Sequence, residues 1–242
     1  MPYGRHFGIF SATALACLLA LTSSPAQAIL GGALAARNSL GQATVGVGTL
    51  LAGSGEISLS RCSGVLVSPD VVLTAAHCVR NGPVAAVVVF YEGSRPVRPA
   101  LRVAEVTRYD VQSAGLPGKY AGLLELSLDT AALRLAAPVR GRRPIPIGRG
   151  APPSNLRLAG AGISQQGVGV LKTTRLDPLL VTSTGLLIAA ARGSEVCKGD
   201  SGGPVVADGR HGPVLWGVAS AVLSSDGACG RVVVIAPARA RF

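Results

Sequence analysis

Aromatic residues are scarce in this chain: they make up 4% of its 242 residues, and only one of them is Trp. A surface that binds single-stranded nucleic acid needs aromatic side chains interleaved with its cations. Here the arginines are scattered, with the densest group at Arg140, Arg142 and Arg143. The net charge of +11 therefore reads as a basic soluble surface, and no nucleic-acid partner is expected. Long apolar runs are missing after the first residues, where no segment reaches the roughly 18 residues of a membrane-spanning helix. Sustained helical periodicity and internal repeats are missing too. So is any C-x-x-C spacing, the usual mark of a structural zinc site, and no metal or cofactor is expected.

What is present begins with an export signal. Arg5, an apolar run over about 7–21 and Ala26-Gln27-Ala28 form a secretory signal peptide over residues 1–28. Cleavage after Ala28 leaves 242 − 28 = 214 residues that start at Ile29. The mature protein is expected to be secreted or periplasmic, with no membrane attachment once the signal is removed, and a monomer. Cys17 leaves with the signal. Cys62, Cys78, Cys197 and Cys229 remain, an even set in an exported chain, so two disulfides are expected, with three pairings open.

Short apolar runs, punctuated by Gly, Pro, Ser and Asn, recur at 44–47, 64–67, 71–73, 84–90, 101–106, 156–159, 179–181, 204–207, 214–219 and 232–235. That pattern indicates an all-β sandwich or barrel. Residues 137–150 open with a stretch rich in Pro and Arg and divide the mature chain near its middle. The expected layout is a β-barrel over 29–136, a connector over 137–150 and a second β-barrel over 151–242, with a cleft at their junction. One more buried strand is expected at 118–128, where Ala121, Leu123, Leu124, Leu126 and Leu128 are apolar.

Three motifs carry chemistry. Thr74-Ala75-Ala76-His77-Cys78 follows an apolar strand, Cys197-Lys198-Gly199-Asp200-Ser201-Gly202-Gly203-Pro204 lies in the second half, and Ile29-Leu30-Gly31-Gly32 stands at the expected new N-terminus. Each alone is weak, since a lone His after a strand is more often structural and a Gly-rich turn is often only a turn. Together and in this order they resemble the chymotrypsin/trypsin family of serine peptidases, over nearly the whole mature chain. The resemblance implies two antiparallel six-stranded β-barrels with the active site between them, in agreement with the strand pattern.

The resemblance also implies roles. Ser201 would be the nucleophile and His77 the general base, because a serine hydroxyl attacks well only when a base takes its proton. The backbone N–H groups of Gly199 and Ser201 would form the oxyanion hole. Asp200 would pair, buried, with the α-ammonium of Ile29, so that signal cleavage itself matures the protein. Family spacing implies the pairs Cys62–Cys78 and Cys197–Cys229. The partner would be a peptide or protein substrate, with a protein inhibitor as a further option.

The third member of the catalytic set is the open point. The family begins a strand after the His with Asp, in a pattern like D-I-A-L-L-x-L. Aligning Leu123-Leu124-Glu125-Leu126 to that pattern places Tyr120 at the Asp, and a neutral Tyr cannot stabilise a charged imidazole. Glu125 points to the opposite face by strand alternation. Asp110 is the substitute, brought in by a loop rearrangement, and Ser220 could offer a neutral hydrogen bond. Specificity is divided. Glu195, at the family's pocket base, implies Lys or Arg as the preferred substrate residue, whereas Val222 would narrow the mouth in favour of small side chains, with Lys198 at the rim. Two readings follow: a secreted serine endopeptidase, and a catalytically impaired pseudopeptidase that binds peptides or proteins.

Overall fold

The computed structural model describes residues 28–53, 56–80, 83–110, 122–164, 167–224 and 228–239. Residues 1–27 of the expected signal peptide, and Tyr120, lie outside the described residues.

The chain forms two closed, six-stranded antiparallel β-barrels. In the first, Thr44–Gly53, Glu56–Ser68, Val71–Thr74, Ala131–Leu135, Leu101–Arg108 and Ala85–Glu92 follow one another round the sheet, and the last pairs back onto the first. In the second the circuit runs Lys172–Val181, Leu187–Ala191, Val232–Pro237, Gly212–Leu223, Pro204–Gly209 and Leu156–Gly160, closed by pairing of Leu156–Gly160 with Lys172–Val181. Closure removes the unpaired sheet edges on which other chains could build. Alternation is clear where a strand has one wet side: Ala85–Glu92 buries Ala86, Val88 and Phe90 and half-exposes Val87 and Val89. Val71–Thr74 is buried throughout, as its unbroken apolar run requires.

The apolar cores meet at the junction. The first core gathers Val45, Leu66, Leu73, Val88 and Leu133, and it continues into the second half through Ala159, Leu171, Leu215 and Val218. The second gathers Ile29, Leu156, Leu158, Leu187, Val205 and Val233. Burying one such side chain fully contributes about 1.5–3 kcal/mol. Two disulfides, Cys62–Cys78 and Cys197–Cys229, close the loops carrying His77 and Ser201. Each stabilises by roughly 2–4 kcal/mol.

Two expectations are corrected. Residues 123–127 are not strand: Leu123–Ser127 is one short α-helix, and the barrel strand lies further on, at Ala131–Leu135. Nor do residues 29–34 belong to the first barrel. Leu30 bridges Glu195, and Ala33 and Leu34 pair with Thr173 and Lys172, all in the second half. Residues 30–34 therefore strap onto the second barrel before the chain enters the first. The connector is tied to both barrels: Ile145 N–H donates to Leu66 O of the first at 2.9 Å, and Gly148 N–H donates to Leu215 O of the second at 2.7 Å. Arg142, in the densest basic group, donates to the carbonyls of Gln42 and Tyr91 and lies over the Phe90 ring, so it serves packing.

Candidate active site

His77 sits on a 3₁₀ turn, Ala76–Val79, directly after the strand Val71–Thr74. That strand pairs antiparallel with Ala131–Leu135, Thr74 opposite Ala131. The register carries the residues just past Thr74 beside those just before Ala131. Asp129 lies there, 8% exposed. Its Oδ1 accepts the His77 backbone N–H at 2.8 Å, and its Oδ2 lies 2.7 Å from His77 Nδ1. A carboxylate opposite Nδ1 holds the proton on that nitrogen and leaves Nε2 as the basic one. Ser220 Oγ donates to the same Oδ2 at 2.6 Å. Burial pushes the Asp129 carboxyl up. The His77 imidazole, the Ser220 hydroxyl and the His77 N–H outweigh burial and hold it below the usual carboxylate range.

The aspartate is therefore Asp129, which the alignment on Tyr120 missed. Asp110 does not take the place either: Asp129 holds the His77 backbone N–H and Nδ1, and the Asp110 carboxylate lies 3.6 Å from Arg108 Nε. A signal was available. Asp129-Thr130-Ala131-Ala132-Leu133-Arg134-Leu135 matches the D-I-A-L-L-x-L pattern better than the leucine run before it, and its Arg134 is the single exposed residue of the strand.

Ser201 comes from the other half. Its turn is pinned against the first barrel: Ser63 N–H donates to Ser201 O at 2.7 Å, and the Cys78 sulfur, next to His77, lies 3.9 Å from the same carbonyl. The contact demands glycine at the next position. Gly202 has φ +81°, and a Cβ there would stand 2.2 Å from both Ser63 O and Thr74 Oγ1. Among the described residues, no hydrogen bond joins the Ser201 hydroxyl to His77, and the N–H groups of Gly199 and Ser201 donate to nothing. Two unused donors beside a serine hydroxyl can donate to an oxyanion that develops there.

Asp200 is fully buried, with Oδ2 accepting the Cys197 N–H at 2.9 Å. Oδ1 has no hydrogen-bond partner among the described residues, and it stands where a Cβ on Gly160 would be, 2.3 Å away. Burial pushes the carboxyl up to about 7, against the pull of the Cys197 and Gly162 N–H groups and of Lys172. Ile29 is buried in the second core, beside the Leu30–Glu195 bridge.

A pocket of about 230 Å³ opens beside Ser201, lined by Val196, Cys197, Lys198, Ala219, Ser220, Ala221 and Val222. Glu195, expected at its base, is not among the lining residues; its backbone is engaged with Leu30. Val222 and Lys198 do line it. Cys62, His77 and Cys78 gather in one place, but the two sulfurs are bonded to each other, so no thiolate is left to hold a cation. No helix among the described residues is long and apolar enough to cross a membrane.

The profile of the family described as Trypsin matches residues 45–239. The chain belongs to the trypsin family. Human Kallikrein-12 is 28% identical to it, over 90% of this chain and 88% of that protein. Trypsin delta of Drosophila melanogaster is 26% identical over 74% of this chain and 79% of its own, and brachyurin of Leptuca pugilator 28% identical over 66% and 76%. Among solved structures, HL collagenase superposes with a TM-score of 0.63 at 21% identity, covering 86% of this chain and 93% of its own. The protease Anisep from Arthrobacter nicotinovorans superposes with 0.61 at 14%, covering 83% and 92%. At those identities the two structures speak for the trypsin-family fold alone.

Proposed function

We propose that this trypsin-family protein is an exported serine endopeptidase that cleaves peptide bonds through an acyl-enzyme on Ser201. The observation that carries the reading is the Ser220–Asp129–His77 chain of hydrogen bonds next to the Ser201 turn. In this reading His77 Nε2 takes the Ser201 proton as Oγ attacks the carbonyl, and Asp129 stabilises the imidazolium. Gly199 and Ser201 N–H groups hold the oxyanion, and His77 returns the proton to the leaving amine. One support for the alternative of an inactive binding module was a missing carboxylate, and with Asp129 at His77 that one support falls away. The test is labelling of the mature protein by a fluorophosphonate probe. Labelling of Ser201 that His77→Ala abolishes supports the reading, and equal labelling of the two overturns it.

The pocket gives the reading a substrate preference. Val196, Ala219, Ala221 and Val222 line it, and no carboxylate does among the described residues, so a cationic side chain would be desolvated without a counter-charge. Peptides with Ala or Val before the scissile bond are expected to exceed the Arg peptide by about 10²-fold or more in kcat/KM. Equal or higher kcat/KM for Arg would refute the preference.

Maturation is read from Asp200. An ammonium created at Ile29 would supply the buried carboxylate with a counter-charge, and mass spectrometry should find Ile29 as the mature start. In a chain still extended before Ile29 the carboxyl is raised above its unfolded value of about 3.9. The unfolded state then binds fewer protons between about pH 4 and 7, so Asp200 costs stability as pH rises through that window. Thermal melts from pH 4 to 8 should show Asp200→Asn gaining on the extended parent as pH rises. A constant difference would argue against a buried, unpaired Asp200.

A further inference from the structure

Ser63 is fully buried on the strand Glu56–Ser68 and ties together three parts of the molecule. Its N–H donates to Ser201 O at 2.7 Å, and its carbonyl accepts the Thr74 hydroxyl at 2.7 Å. Its own hydroxyl donates to Gly199 O at 2.8 Å and accepts the Ala161 N–H at 2.9 Å. Ala161 immediately follows the second-barrel strand Leu156–Gly160. One side chain from the first barrel thus clamps the turn Gly199–Ser201 onto the second.

We propose that Ser63 is a positioning residue for the oxyanion hole, its hydroxyl fixing the Gly199–Asp200 peptide so that the Gly199 and Ser201 N–H groups stay available to the reacting carbonyl. The inference rests on the hydrolase reading of Ser201 and adds a residue to it. Gly199 has φ +93°, a conformation that glycine enters and leaves at little steric cost. The orientation of this peptide is therefore set by what its two polar groups bind: the Asp200 N–H donates to Cys197 O at 3.1 Å within the turn itself, and the Gly199 carbonyl accepts the Ser63 hydroxyl, its tie to the first barrel. The hydroxyl can act in both directions at once because it carries one proton and accepting lone pairs. Alanine can do neither, and would leave the Gly199 carbonyl and the Ala161 N–H without partners in a dry site. The clamp is also in place with Ile29 still joined to Ala28, so it holds the turn independently of a new N-terminus.

Ser63→Ala, with Ser63→Gly as a second hydroxyl-free variant, tests the proposal. The expected result is a fall in kcat of about 10- to 100-fold with KM within about twofold of the parent. The affinity for a peptide aldehyde, whose adduct carries the oxyanion, should fall by the same factor as kcat. A role confined to stability would lower the melting temperature and leave kcat and aldehyde affinity of the folded protein unchanged, and that result overturns the proposal. If the parent is not labelled by the fluorophosphonate, it is the hydrolase reading that fails. The clamp is then judged by amide hydrogen exchange of peptides covering residues 197–203. Faster exchange there in Ser63→Ala than in the parent supports the clamp, and equal exchange overturns it.

Discussion

Ser201→Ala and His77→Ala are each expected to lower kcat by about 10⁶-fold, and the double variant by no more than either alone. The reason is mechanical. The hydroxyl is unreactive until Nε2 takes its proton, and the imidazole has nothing to activate once the hydroxyl is gone, so the two act as one device. Steady-state hydrolysis of a peptide p-nitroanilide with Ala or Val before the scissile bond gives the measurement. What survives in both variants should be the part due to binding and the Gly199 and Ser201 N–H groups, on the order of 10³–10⁴ over water. Losses that multiply in the double variant would mean that the two residues do not work together, and the acyl-enzyme reading would have to be abandoned.

Asp129→Asn is expected to lower kcat by about 10⁴-fold while the protein stays folded. The amide fits the same space but can offer its NH₂ to Nδ1, which puts the imidazole proton on Nε2, where it blocks uptake of the Ser201 proton. The charge that steadies the imidazolium is lost as well. Ser220 donates to Asp129 Oδ2, which in the variant is an amide position of uncharged chemistry, so the line of hydrogen bonds is weakened at both ends. Asp110→Asn serves as the control. Its carboxylate lies 3.6 Å from Arg108 Nε, and the His77 backbone N–H and Nδ1 are held by Asp129, so kcat should change by about twofold or less. A large loss in Asp110→Asn with little in Asp129→Asn would reverse the assignment. The carboxyl of Asp129 is held below its usual range, so the stability it adds is present at neutral pH and is lost as pH falls through its folded value, opposite in sign to Asp200 in the extended chain.

The carboxylate at His77 shows where reading a sequence breaks down. Two leucine-rich stretches follow each other, Leu123-Leu124-Glu125-Leu126 and Leu133-Arg134-Leu135, and both satisfy a loose apolar pattern. Apolar content alone cannot tell a short helix from a strand, and the first stretch is the helix Leu123–Ser127. Barrel closure decides between them. Val71–Thr74 needs a partner whose residues are buried on both faces, and Ala131–Leu135, with only Arg134 exposed, is that partner. Once the register is set, Asp129 is at His77. The strand Leu187–Ala191 was missed for a related reason: its alanines give little apolar signal, and it is recognised by its partners Lys172–Val181 and Val232–Pro237.

The sequence by itself determined the all-β class, most strand positions, and the His77 and Ser201 motifs with the family they resemble, because these depend on side-chain periodicity and on short runs of fixed residues. Only the tertiary structure decided which aspartate serves His77, that residues 30–34 belong with the second barrel, that Glu195 stays out of the pocket lining, and that Ser63 grips the Gly199 turn. Each of those depends on which strands lie side by side and in what register, and a pairing between residues far apart in the chain is set by closure of the barrels rather than by any local pattern.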